Sequence, residues 1–164
     1  MNYLNIQFTL AVALVASATF AINPAFAHED SDTTQQHEDY AAALGKPGDP
    51  HKVSRTIDVK MSDAMRYSPA LIRVKRGETI RFALKNDGKM KHEMVLGDIK
   101  ELKEHAALMR KFPEMEHSDP NQASVEPGKA GEIVWQFTKA GTFTFACLQP
   151  GHFEAGMVGK VLAK

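Results

Sequence analysis

From Val53 onward, apolar residues tend to recur at every second position. Ile57, Val59 and Met61 do so, as do Ile80, Phe82 and Leu84 between Glu78 and Asn86. The same spacing returns in Ile133, Trp135 and Phe137, and again in Phe143, Phe145 and Cys147. A period of two places these side chains on one face of a strand. Arg76-Gly77, Asp87-Gly88, Pro127-Gly128 and Ala140-Gly141 punctuate the runs with turn residues. Short alternating strands separated by such turns predict an all-β antiparallel sandwich or barrel.

One segment follows a different period. Ile99, Leu102, Ala106, Met109 and Phe112 recur at roughly helical spacing. Asp98 stands where an N-cap is needed, Glu101 follows three residues later, and Pro113 stops the pattern. These signals predict one helix over 99–112 inserted between strands, with a loop from Pro113 to about Gln122.

The N-terminal part does not share the strand pattern. Residues 6–22 are mostly apolar, a run too short for a comfortable membrane span, and Ala25-Phe26-Ala27 matches a small-residue cleavage site. Residues 1–27 therefore read as a cleaved signal peptide, although its first residues carry no Lys or Arg; the alternative reading is a retained N-terminal anchor. Residues 28–52 are polar and end in Gly45, Pro47, Gly48 and Pro50. They predict a flexible arm, with one helical turn near Tyr40–Leu44. Residues 53–164 remain as a single folded domain, and the mature chain has no membrane span.

Composition narrows the function. Twenty basic and 20 acidic residues balance, so the chain lacks the positive field on which a nucleic-acid binder relies. There is one cysteine, which excludes an intrachain disulfide. A lone thiol in an oxidising compartment is a liability unless something occupies it, and a metal is one such occupant. The carboxylates are spread out with no paired general acid and base, and no serine nucleophile elbow or phosphate loop is present.

The stretch from Cys147 through His152 to Met157 carries the chemistry. It sets a thiolate, an imidazole and a thioether on one loop, with four residues between each pair and Pro150-Gly151 turning the chain. Cys147 alone would read as a buried structural thiol. In register with His152 and Met157 it reads as a ligand. Two histidines and a cysteine in a plane, with a weak axial methionine, form the ligand set of a mononuclear copper electron-transfer centre. Soft sulfur favours Cu(I), and imidazole suits both oxidation states. His92, opening a strand that also contains Met94 and Leu96, is the best source of the second imidazole. His105 and His117 belong to the helix and its loop, and His28, His37 and His51 to the arm.

Cys147-x4-His152-x4-Met157, preceded by Gly141-Thr142-Phe143-Thr144-Phe145-Ala146, resembles the copper loop of the cupredoxins, the type 1 copper proteins that include plastocyanin and azurin. Lys91–Gly97 resembles the segment bearing their upstream histidine, and Met61–Pro69 a segment common in bacterial members. The resemblance implies a Greek-key β-sandwich, copper bound by His92, Cys147, His152 and Met157, and one-electron redox chemistry. The chain is most similar to the periplasmic cupredoxins of bacterial copper tolerance. This implies a monomer in the periplasm, with redox or copper-handling proteins as partners. Two roles follow: copper tolerance, including weak oxidation of Cu(I), or electron shuttling between respiratory partners. Glu93 departs from the family pattern, where an asparagine often ties the two ligand segments together.

Further methionines and histidines define a second copper site as an expectation. Met115 and His117 lie on a polar loop where packing needs neither, and Met90 and Met65 would join if the fold brought them near. His28 would become the new N-terminus after cleavage and could chelate through its amine and imidazole. The residues around His152, namely Pro150, Gly151, Phe153 and Ala155, predict a small apolar docking patch for a redox partner.

Overall fold

The computed structural model describes residues 45–113 and 119–164. Ten strands and one α-helix follow in the order β1 (Lys46–Pro47), β2 (Arg55–Ser62), β3 (Arg66–Ser68), β4 (Leu71–Val74), β5 (Thr79–Asn86), β6 (His92–Gly97), α1 (Ile99–Lys111), β7 (Gln122–Val125), β8 (Ala130–Gln136), β9 (Gly141–Ala146) and β10 (Val158–Ala163). The strands form two five-stranded sheets, ordered β1-β8-β5-β2-β3 and β4-β10-β9-β6-β7. The sandwich expected from the alternation is present. Its sheets are mixed, however: β2 pairs parallel with β5, and β4 with β10, while the other pairs are antiparallel. Alternation reports which face is buried and carries no information on strand direction, so the sequence pattern could not distinguish the two.

The predicted alternating residues meet between the sheets. Val59, Met61, Ile80, Phe82, Leu84, Ile133 and Trp135 from one sheet pack against Ile72, Val74, Met94, Leu96, Phe143, Phe145 and Val161 from the other. Fully burying each such side chain contributes roughly 1.5–3 kcal/mol.

Helix α1 ends at Lys111, with Phe112 as its C-cap, and Asp98 caps its start by accepting a 2.8 Å hydrogen bond from the Lys100 N–H. Leu102, Ala106 and Met109 form the buried side of the predicted stripe and pack with Val95, Ala146 and Leu148 on the outer face of the second sheet. Ile99 and Phe112, at the two ends of the stripe, are exposed. No helix among the described residues is long and apolar enough to cross a membrane.

Residues 46–52, read from the sequence as the end of an arm, lie against the first sheet. Lys46 and Pro47 pair with Gln136 and Trp135, and Gly48 donates to the Val134 carbonyl at 2.9 Å. Proline is tolerated there because β1 is an edge strand. A 3-10 turn over Pro50–Lys52 follows, capped by Asp49.

Candidate metal centre

The site forms where the pairing of β6 with β9 stops. That ladder runs through Gly97↔Thr144, Leu96↔Phe145 and Val95↔Ala146. Beyond it, His92 lies on the inward parity of Met94 and Leu96, and Cys147 on that of Phe143 and Phe145. Both side chains are fully buried. The chain between Cys147 and Met157 folds back as a closed loop. The Cys147 N–H donates to the Met157 carbonyl at 3.1 Å, the Met157 N–H to His152 at 3.0 Å, and the His152 N–H to Gln149 at 2.9 Å. Gly151 and Gly156 take φ values of +85° and +87°, a left-handed conformation that suits glycine. The loop thereby returns His152 to Cys147, as the sequence spacing required.

His92, Cys147 and His152 each present a ligand-type atom within 4.8 Å of the others. Cys147 Sγ lies 3.2 Å from His152 Nδ1, and the two imidazole centroids are 4.9 Å apart. The Nε2 of His92 is 3.0 Å from Asp63 Oδ1. A carboxylate accepts only, so Nε2 carries the proton and the lone pair of a neutral ring lies on Nδ1. That Nδ1 is buried and has no hydrogen-bond partner. Met157 is fully buried at the foot of the loop and belongs to the same core as Cys147. His152 is half-buried.

Burial pushes the Cys147 thiol up to about 12, with the charge of Glu93 adding to the rise; N–H groups of Glu93 and Gln149 partly offset it. Burial, then the neighbouring His92, lowers the pKa of His152. At neutral pH and without a metal the pair is therefore a neutral thiol facing a neutral imidazole. A metal taking this sulfur must displace its proton.

Several supports were not singled out from the sequence. Asp63 accepts from the backbone N–H groups of Lys89 and Met90 at 2.8 and 3.3 Å as well as from His92. The Lys89 bond is the main cause that holds its carboxyl below the ordinary value. Asn86, fully buried, spends its amide on the Met90 and Val125 carbonyls and accepts from the Gly88 N–H, which fixes the loop ahead of His92. Arg66 reaches the carbonyls of Met65 and Ala155 at 2.8 and 3.0 Å, clamping the copper-loop end beside Met157. Arg110 of α1 pairs with Glu154. Asp63 and Arg66 fall within the Met61–Pro69 segment that the family resemblance had marked, but nothing local in the sequence says what they bond.

The remaining sequence candidates disperse. Met65 is half-buried in the β2–β3 turn and packs on the main core; Met90 is exposed in the loop before β6. Met115, His117 and His28 lie outside the described residues. Around His152, Pro150, Gly151 and Ala155 are exposed, whereas Phe153 is half-buried against the cluster beneath α1.

Comparison with known proteins agrees with this geometry. The sequence description for copper binding proteins of the plastocyanin/azurin family matches residues 53–164, and the chain belongs to that family. Within it, the chain is 50% identical over 155 residues to the copper-resistant cuproprotein CopI of Rubrivivax gelatinosus, covering 94% of each. It is 39% identical over 151 residues to CopI of Pseudomonas aeruginosa, covering 74% of this chain and 83% of that one. The fold resembles the crystal structure of dithionite-reduced auracyanin from Roseiflexus castenholzii, with a TM-score of 0.59 at 21% identity over 68% of this chain and 98% of that one.

The donors fit copper. The set offers soft sulfur from Cys147 and imidazole from His92 and His152, the ligand types that copper centres use. The orphaned Nδ1 of His92 is a buried lone pair for which a cation would provide the missing partner. Asp63→Ala should therefore weaken copper binding by about 10- to 100-fold, the range for losing the carboxylate behind a metal-ligating histidine. Competition against a chelator of known affinity measures this. An unchanged affinity would remove Asp63 from the site.

Proposed function

We propose that the chain is an exported copper protein of the periplasm whose type 1 centre, held by His92, Cys147, His152 and Met157, serves copper tolerance by binding copper and cycling it between Cu(I) and Cu(II). The observation that carries this reading is the convergence of His92, Cys147 and His152 from two separate segments, with a buried imidazole nitrogen left unpartnered. The identity to copper-resistant cuproproteins over nearly the whole chain supports the biological setting.

When bound, copper supplies the one-electron couple. The protein's own groups do the rest. His92, locked through Nε2 to Asp63, presents a fixed lone pair. Cys147 receives N–H groups from Glu93 and Gln149, which favour its thiolate form. The buried sandwich end excludes water and holds the donors in place, so that little rearranges on redox change. His152, half-buried and flanked by exposed Pro150 and Gly151 on its N-terminal side, forms the edge that redox or copper-handling partners would meet. In this reading residues 1–27 direct export and are removed, residues 28–52 precede the cupredoxin domain of 53–164, and the mature protein is a monomer.

Growth of a strain lacking this gene tests the role. The wild-type chain should restore growth in copper, and His92→Ala should fail to do so. Equal rescue by both would overturn the tolerance reading, and rescue of respiration rather than copper growth would make the protein an electron shuttle.

A further inference from the structure

Glu93 stands where the family resemblance led us to expect an asparagine, and it is the most heavily bonded residue around the site. It is 7% exposed. Its Oε1 accepts from the Leu148 N–H at 2.8 Å; its Oε2 accepts from the Ser124 hydroxyl at 3.1 Å and from Gln149 Nε2 at 3.3 Å. Its backbone carbonyl accepts from the Tyr67 hydroxyl at 2.6 Å. Its backbone N–H points at the Cys147 sulfur.

The strand register explains why a long acceptor is needed here. The β6–β9 ladder ends at Val95↔Ala146, so Leu148 has lost its strand partner, and its N–H is buried. A buried N–H without an acceptor is costly. On its other side Glu93 lies opposite Ser124 of β7. One carboxylate thus joins β6, β7 and the first two residues after Cys147.

We propose that Glu93 is the positioning residue of the centre: it braces the copper loop where the sheet opens, and its buried negative charge biases the site towards the oxidised ion. This rests on the copper-redox reading above. Charge-assisted hydrogen bonds are roughly twice as strong as neutral ones, which suits a brace across a gap. An anion beside the sulfur stabilises the more positive state of whatever the sulfur binds. Asparagine could offer one acceptor but no charge. The departure from the family pattern therefore replaces a neutral tie with an ionic one, and a centre of this kind holds Cu(II) more tightly relative to Cu(I).

Two variants separate brace from charge. Glu93→Gln keeps an acceptor for Leu148 and removes the charge. It should retain the thiolate-to-copper absorption while shifting the ratio of Cu(II) to Cu(I) affinity at least tenfold towards Cu(I), a rise in reduction potential of about 59 mV for one electron. Glu93→Ala removes both. In the metal-free protein, hydrogen exchange of the Leu148 amide should accelerate more than tenfold while the amides of β5 and β8 hold. An unchanged or lower potential in Glu93→Gln would overturn the charge bias, and unchanged Leu148 exchange in Glu93→Ala would overturn the brace. Should the alanine variant not fold, the potential of Glu93→Gln decides the proposal alone. Absence of a thiolate-to-copper band from the wild type would sink the redox reading instead. The metal-free exchange measurement would still judge the brace.

Discussion

Cys147→Ala is expected to yield a folded protein that has lost its visible thiolate-to-copper absorption and more than ~100-fold of its copper affinity. The reasoning starts from what the side chain does in the metal-free state. Cys147 is fully buried, and its sulfur makes only weak contacts, with His152 Nδ1 at 3.2 Å and with the N–H groups of Glu93 and Gln149. Removing one buried sulfur costs on the order of 1 kcal/mol, typical of a point substitution. Its loss from the donor set costs far more. Outer-sphere partners of metal ligands already account for 10- to 100-fold in affinity, so a ligand itself should exceed that range. A sulfur donor is also the source of the charge-transfer band, so Cys147→Ser, which keeps the size and changes the donor, should lose the band as well. Absorption and competition titrations, with circular dichroism to verify folding, check these outcomes. A band that survived either substitution would show that the ligand set is wrong.

Phe145→Ala should lower the stability of the metal-free protein by about 3–5 kcal/mol, the usual range for truncating a large aromatic core residue. That is a large fraction of the ~5–15 kcal/mol by which a domain is stable. Phe145 is fully buried in β9 and pairs with Gly159 of β10. Its ring covers that glycine so closely that a Cβ there would lie 2.1 Å from the ring tip. Its other side meets the edge of Tyr67 at a centroid distance of 4.9 Å. The cavity would therefore open against two neighbours, neither of which can collapse into it cheaply. Tyr67 in turn bonds the Glu93 carbonyl, so the loss should also loosen the segment behind His92. Urea unfolding should show a lower midpoint with an unchanged slope. A loss below ~1 kcal/mol would mean that the core repacks and that this chain of contacts is not rigid.

Most of the architecture was legible because alternation directly encodes burial. Phe143, Phe145 and Cys147 were readable as one face, and they are one face. The helix was legible from its spacing and from Asp98 as its cap. Strand direction was not, because β2 and β5 lie parallel with 16 residues between them and their side-chain pattern looks the same either way. Likewise, Lys46 and Pro47 join the sheet as an edge strand whose two exposed residues offer no periodicity. At the site, the spacing of Cys147, His152 and Met157 announced a loop, and His92 followed from strand parity. The supports did not show. Asp63 is 29 positions from His92, and Glu93 is 55 from Leu148. Bonds across such separations depend on which strands become neighbours, and no local pattern records that.

The unequal depth of the two histidines has a consequence for how the proposed ion leaves. His92, Cys147 and Met157 are fully enclosed, and the loop that carries His152 is closed at its base by the Cys147–Met157 hydrogen bond. A chelator in solution reaches one corner of such a cage and cannot replace the donors one after another from outside. Stripping then waits for the 147–157 loop to lift. Retention becomes a question of lifetime, set by the frequency of that opening rather than by the strength of the competitor.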